Sequence, residues 1–187
     1  MNRGKRMARR QRRKADRAPA NDSARAPGRL QIAIANPQRT QRVNVSALRK
    51  QFCTLLRDLL KLENVTIDIA LVAAPDMTRL NESFLHHEGA TDVITFDYSE
   101  LPGSPAGIRG EIFICVDQAV LQARRFRTTW QAELVRYLIH GTLHLLGYDD
   151  HRAADRRTMK REEDRLLRLL ATRFPLSRLA PKPKLHP

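Results

Sequence analysis

The sequence predicts an α+β fold in which one four-stranded sheet packs with about five helices, and three observations carry that prediction. Four short apolar runs have strand length, five stretches repeat apolar residues at helical spacing, and the two kinds are mixed along the chain. At 187 residues the chain holds one domain with a real core and is short for two ordinary ones.

Residues 30–35 (LQIAIA) have the brevity and apolar content of a strand. Residues 43–62 set Leu48, Phe52, Leu55, Leu56, Leu59 and Leu60 on one helical stripe. Residues 65–73 (VTIDIALVA) read as a second strand and residues 75–84 as a short helix that opens on Pro75. Two more strands, TDVITFDY (91–98) and GEIFICV (110–116), are joined by the Gly/Pro loop SELPGSPAG. Asp117 is placed to cap a helix running to about residue 126, and Thr128 or Thr129 to cap a longer one through residue 146. A last amphipathic helix spans residues 153–172.

The formal charge of +14 is concentrated at the ends. Residues 1–29 hold eleven Lys/Arg against Asp16 and Asp22, and residues 172–187 hold four bases and no acid, so residues 30–171 carry only +1. Attraction to phosphates must come from these tails or from local clustering inside a nearly neutral domain. Residues 1–29 have almost no large apolar side chains and read as a disordered basic arm; residues 173–187 read as a Pro/Lys-rich tail, with the domain between, at 30–172. Because the arm has no interleaved aromatics, it is expected to raise affinity for a phosphate backbone without reading sequence. An unchanged affinity and salt dependence after deletion of residues 1–29 would overturn that expectation.

Cys53 and Cys115 are far apart and lack CxxC spacing, which argues against a disulfide framework and a thiolate metal site. No run approaches the apolar length of a membrane span, and the Arg-rich start is not followed by a signal-type apolar stretch, so a reducing cytoplasm is expected.

Chemistry concentrates in HGTLHLLGYDDH (140–151). His140 and His144, four apart on the predicted helix, lie one above the other on one face and can reach a single ion. Gly147 can stop that helix in a left-handed conformation, after which Tyr148, Asp149, Asp150 and His151 fold back towards the histidines. Two imidazoles, a third ligand and an open fourth position form the catalytic zinc pattern, in which the ion acidifies a bound water. A zinc peptidase of the HExxH type needs Glu after its first histidine; Gly141 occupies that place, which argues against peptidase activity. Asp149, Asp92 and Glu111 are the carboxylates available as proton acceptors.

This segment resembles the YbeY family motif H-G-x-L-H-L-x-G-Y-D-H. Upstream, LNESF and TDVITF within residues 80–96 resemble the family's L-N-x-x-[YF] and T-D-V-L-S-F segments, and GEIFIC (110–115) resembles its G-D-I strand. The resemblance covers residues 30–171. It implies a single-strand-specific, metal-dependent endoribonuclease acting in late ribosome maturation and quality control, including the 3′ end of the small-subunit RNA. One zinc ion, single-stranded ribosomal RNA, and the ribosome or its proteins are the implied cofactor and partners, with His140 and His144 central to catalysis.

Two positions depart from the family pattern. Its third histidine falls at Asp150, with His151 one place later, so both are candidate metal ligands. Its Arg after L-N-x-x-[YF] falls at Leu85, followed by His86 and His87, which carry charge only when protonated. A rival class is a non-catalytic ribosome-assembly factor with a structural zinc, which would close its site with a fourth protein ligand.

Overall fold

The computed structural model describes residues 29–101 and 106–181, apart from the side chain of Leu85. In chain order the elements are β1 (Leu30–Ala35), α1 (Val45–Thr54), β2 (Val65–Val72), α2 (Ala74–Leu80), β3 (Val93–Asp97), β4 (Ile108–Cys115), α3 (Val116–Phe126), α4 (Trp130–Leu145) and α5 (Ala153–Arg173). α1 runs on into a wider π turn at Leu55–Leu59, α2 into another at Asn81–Leu85, and a 3₁₀ turn, Leu176–Leu179, follows α5. The sheet has the order β1-β2-β4-β3. β1, β2 and β4 are parallel, and β3 lies antiparallel against β4 as the edge strand. The predicted α+β class, four strands with five α-helices, is what forms.

Alternation along the strands places the core. On β2 the side chains of Val65, Ile67 and Ile69 are buried while Asp68 between them is exposed, as period-two geometry requires of a sheet with one fully covered face. Those residues meet Ile112 and Ile114 of β4, Leu48, Phe52, Leu55 and Leu56 of the first helical segment, and the inner side of α4. A smaller cluster of Val72, Met77, Ile94 and Cys115 sits under α2 on the other face.

α4 is the central helix. Thr129 is its N-cap, with the side-chain oxygen accepting from the Ala132 N–H at 3.2 Å, so of the two predicted caps Thr129 is the one used. From Leu134 to Leu145 every residue but Arg136, His140 and His144 is buried, and the helix can lie this close because Gly141 has no side chain. A Cβ there would stand 2.8 Å from Ile112 Cγ2 and 3.2 Å from Thr95 Oγ1. Ile112 is fully buried and β-branched, so its methyl has little freedom to withdraw. Gly141→Ala is therefore expected to destabilise by about 1–2 kcal/mol despite alanine's better helix propensity, measured as a fall in the urea midpoint.

Two expectations are corrected. Asp117 does not cap α3; it lies in that helix's first turn, and its carboxylate accepts from Thr40 Oγ1 (2.8 Å) and the Ala74 N–H (2.7 Å), anchoring the start of α2 instead. Part of the predicted tail is packed: Leu179 is fully buried in the core and its carbonyl accepts from the Asn44 N–H at 2.7 Å. Composition over the whole tail masked a local apolar pair, Leu176 and Leu179, three apart on one side of the turn. The basic arm, apart from Arg29, lies outside the described residues. Cys53 and Cys115 are both free thiols. No helix among the described residues is long and apolar enough to cross a membrane.

Candidate metal centre

The histidines occupy the last turns of α4, and the chain leaves that helix by a Schellman turn. The Gly147 N–H bonds to the His144 carbonyl (2.9 Å), and the Tyr148 N–H to the Leu143 carbonyl (3.0 Å). Gly147 has φ +81°, a conformation that glycine adopts at no steric cost. This closure turns Tyr148 to His151 back along the helix end, as the sequence predicts.

His140 and His144 are partly buried, with ring centroids 4.7 Å apart. Their Nε2 atoms face each other at 3.1 Å, and Asp150 Oδ2 is 3.8 Å from His140 Nε2. One ligand atom each from His140, His144 and Asp150 lie within 4.8 Å of one another. The other ring nitrogens are engaged: His140 Nδ1 is 3.0 Å from Glu163 Oε2, and His144 Nδ1 is 3.1 Å from the Tyr148 carbonyl.

These contacts assign the protons. A backbone carbonyl can only accept, so His144 donates from Nδ1. Burial opposes ionisation of Glu163, but hydrogen bonds from His140, Lys160 and Arg136 outweigh it and hold its pKa at about 2. Glu163 therefore also accepts, and His140 donates from Nδ1. Once both rings are neutral, two Nε2 lone pairs confront each other beside a carboxylate. A cation relieves that conflict, and nitrogens bound at about 2.0–2.1 Å to a tetrahedral ion stand ~3.3 Å apart, close to the observed separation. The donor set thus fits a metal ion.

The two imidazoles are tuned in opposite directions. Burial lowers the His140 pKa, but the Glu163 hydrogen bond and charge, with Asp92 and Asp150 adding to them, raise it above the ordinary value. For His144 burial and the neighbouring His140 charge leave it lowered. Burial likewise works against Arg136, whose bonds to Asp164 and Glu163 (both 2.6 Å) nevertheless raise its pKa and complete a network behind His140.

Of the two candidate third ligands, the structure brings Asp150 to the histidine pair and turns His151 away. The His151 side chain is 90% exposed, with Nε2 3.8 Å from Asp149 Oδ1. It joins Asp149 and Asp150 in a second, outward cluster that shares only Asp150 with the first. Asp149 accepts from the His151 N–H (3.0 Å), Asp92 from the Val93 N–H (3.0 Å), and Glu111 from the Tyr98 hydroxyl (3.2 Å). His86 ends the second π turn in a left-handed conformation, and both it and His87 are exposed.

Sequence reasoning missed Glu163 and Arg136. A signal for Glu163 was present: the buried stripe of α5 reads Met159, Glu163, Leu166, Leu170, and a lone carboxylate on an apolar stripe requires a partner.

Fold and site define a class: an α+β protein with a candidate metal centre of two histidines and a carboxylate at the C-terminal end of its core helix. Comparison with known proteins gives the family. A family model described as "Endoribonuclease YbeY" matches residues 33–171, and the chain belongs to that family. A relative named Endoribonuclease YbeY in Chlorobium luteolum is 46% identical over 92 residues, 49% of this chain and 64% of the relative. One of the same name in Chlorobium phaeovibrioides is 41% identical over 106 residues, 57% of this chain and 69% of the relative. A third, in an Anaeromyxobacter species, is 46% identical over 102 residues and is matched over 53% of its length. The matches thus span from about half to about two thirds of these relatives. The solution structure of a Thermotoga maritima protein shares the fold, with a TM-score of 0.57 and 23% identity over 83% of this chain and all of that one.

Proposed function

We propose that this chain is a single-strand-specific, zinc-dependent endoribonuclease that acts in late ribosome maturation and quality control, including 3′-end processing of small-subunit ribosomal RNA. His140, His144 and Asp150 hold one zinc ion; RNA and the ribosome are its partners and the cytoplasm is its place of action. The observation that carries this reading is the pair of Nε2 atoms at 3.1 Å, each ring fixed through Nδ1, with a carboxylate oxygen beside them.

When bound, the ion supplies a Lewis acid that lowers the pKa of water towards about 7 and offsets negative charge on a phosphodiester oxygen. Glu163 and the Tyr148 carbonyl hold the imidazoles with Nε2 deprotonated and aimed at one point. Asp150 adds the negative charge that makes the site favour a divalent cation. Asp149, Asp92 and Glu111 remain the carboxylates available to accept a proton, each already bonded to a neighbour in the resting protein. His151 stands outside the three-ligand group, which leaves a fourth coordination position open among the described residues and favours hydrolysis over a closed structural site.

The test is elemental analysis of untagged protein, parent beside Asp150→Ala and His151→Ala, with each assayed on single-stranded ribosomal RNA. One ion per parent chain, lost with Asp150→Ala and kept with His151→Ala, together with cleavage by the parent, is the expected result. A tightly held ion weakened by both changes, with no cleavage, would instead mean a structural zinc in a non-catalytic assembly factor.

A further inference from the structure

A run of exposed cations on α5 adjoins the metal centre. The first turns of α5 expose Arg156, Arg157, Lys160 and Arg161, while Met159 on the opposite side is buried. Arg156 reaches the ligand turn directly: its Nε donates to the Asp150 carbonyl at 3.0 Å and its Nη2 to the His151 carbonyl at 3.1 Å. Lys160 is committed to Glu163 at 2.8 Å. Arg157 and Arg161 are different, since among the described residues neither forms an ion pair. Of the acids on the same helix, Glu162 is matched to Arg165 and Asp164 to Arg136, while Asp155 lines the neighbouring hollow.

The shape continues from these cations to the site. A hollow of about 630 Å³ is lined by Ala154, Arg156, Arg157, Thr158, Lys160 and Arg161. A second, of about 420 Å³, lies under the turn at Gly147, Tyr148 and Asp149, and Thr158 lines both. Residues four apart on a helix stand roughly 5–6 Å apart at Cβ, close to the separation of successive phosphates in an extended strand. Guanidinium groups present paired donors to phosphate oxygens.

We infer that the Arg157–Arg161 face of α5 is a binding track for the phosphodiester backbone of single-stranded RNA, guiding the strand to the turn that carries Asp150. The inference rests on the nuclease reading and adds to it where the strand lies. Arg157 and Arg161 supply affinity and register without base readout, because they offer charge to phosphates and not hydrogen bonds to base edges.

The test uses the full chain in three forms: the parent, the double variant Arg157→Gln with Arg161→Gln, and a control, Arg124→Gln with Arg125→Gln, which removes the same charge from the exposed end of α3. Affinity for an unstructured RNA oligonucleotide is measured from about 50 to about 200 mM salt, with ion content checked in each protein. Each cation lost from a single-strand contact lowers the log–log salt slope by about 0.7, so the α5 pair should lose roughly 1.4 in slope and at least tenfold in affinity at low salt, with ion content unchanged. The control should keep the parent's slope. A parent that binds RNA with a slope the α5 pair leaves intact, or that the α3 pair lowers equally, overturns the track and leaves the nuclease reading standing. A parent that binds no single-stranded RNA overturns both.

Discussion

His144→Ala is expected to reduce metal content from one ion per chain to none detectable, while the metal-free fold survives. The imidazole is one of three candidate donors, and the two that remain, one from the helix and one from the turn, hold an ion poorly in competition with water. The fold survives because the ring is only partly buried, its one hydrogen bond on the protein side goes to the Tyr148 carbonyl, and alanine is the better helix former. His140→Ala should empty the site equally and also lower stability, since Glu163 then loses a partner in a buried setting. Elemental analysis and thermal unfolding of the stripped proteins separate the two effects. Full occupancy in either variant would mean that the ion sits elsewhere.

The second large effect is expected at a residue that touches no ion. Glu163 is 4% exposed and joins His140 Nδ1, Arg136 Nη1 (2.6 Å) and Lys160 Nζ (2.8 Å). Glu163→Gln keeps the shape but removes the charge that balances Arg136, a loss of about 3 kcal/mol for breaking a buried pair. The new amide can also donate to Nδ1, moving the imidazole proton to Nε2, where it blocks the lone pair an ion needs. Metal affinity should fall by about 10–100-fold, read by competition with a chelating dye. The same carboxylate makes stability depend on acid. Its pKa in the folded protein is about 2 against an ordinary 4.5, so its contribution is complete above about 4.5 and is lost as pH falls towards 2. Urea titrations of the metal-free protein across that window should show a shallower loss for Glu163→Gln than for the parent. Identical slopes would mean that other carboxylates govern the acid limb.

How far the sequence discloses this molecule differs from element to element. The strands are legible because each is a short apolar run between turn residues, and their ends agree with the predicted ends within a few residues. Strand order is not: β2 pairs with β4 across the whole α2–β3 excursion, and no local pattern encodes that. The helix predicted over residues 43–62 keeps its apolar repeat while the backbone widens at Leu55–Leu59, because periodicity reports which side faces the core and not which carbonyl each N–H reaches. At the site, i and i+4 spacing suffices for His140 and His144. The choice between Asp150 and His151 depends on how the chain leaves Gly147, a matter of dihedral angles that composition cannot supply. Asp117 shows the opposite failure, since a good local cap position is overridden by partners 43 and 77 residues away.

The Schellman closure after α4 has a further meaning for how the molecule breathes. Two of the candidate ligands lie before Gly147 and the third after it, so an ion there is a clasp across a helix terminus, where fraying normally begins. Opening that end separates Asp150 from the histidines and must release the ion first. Local unfolding is thereby linked to free metal concentration, and an ion at a hundredfold above its dissociation constant adds about 2.7 kcal/mol to the work of opening. The same few residues that would cut RNA would then also set how readily a protease can enter between α4 and α5.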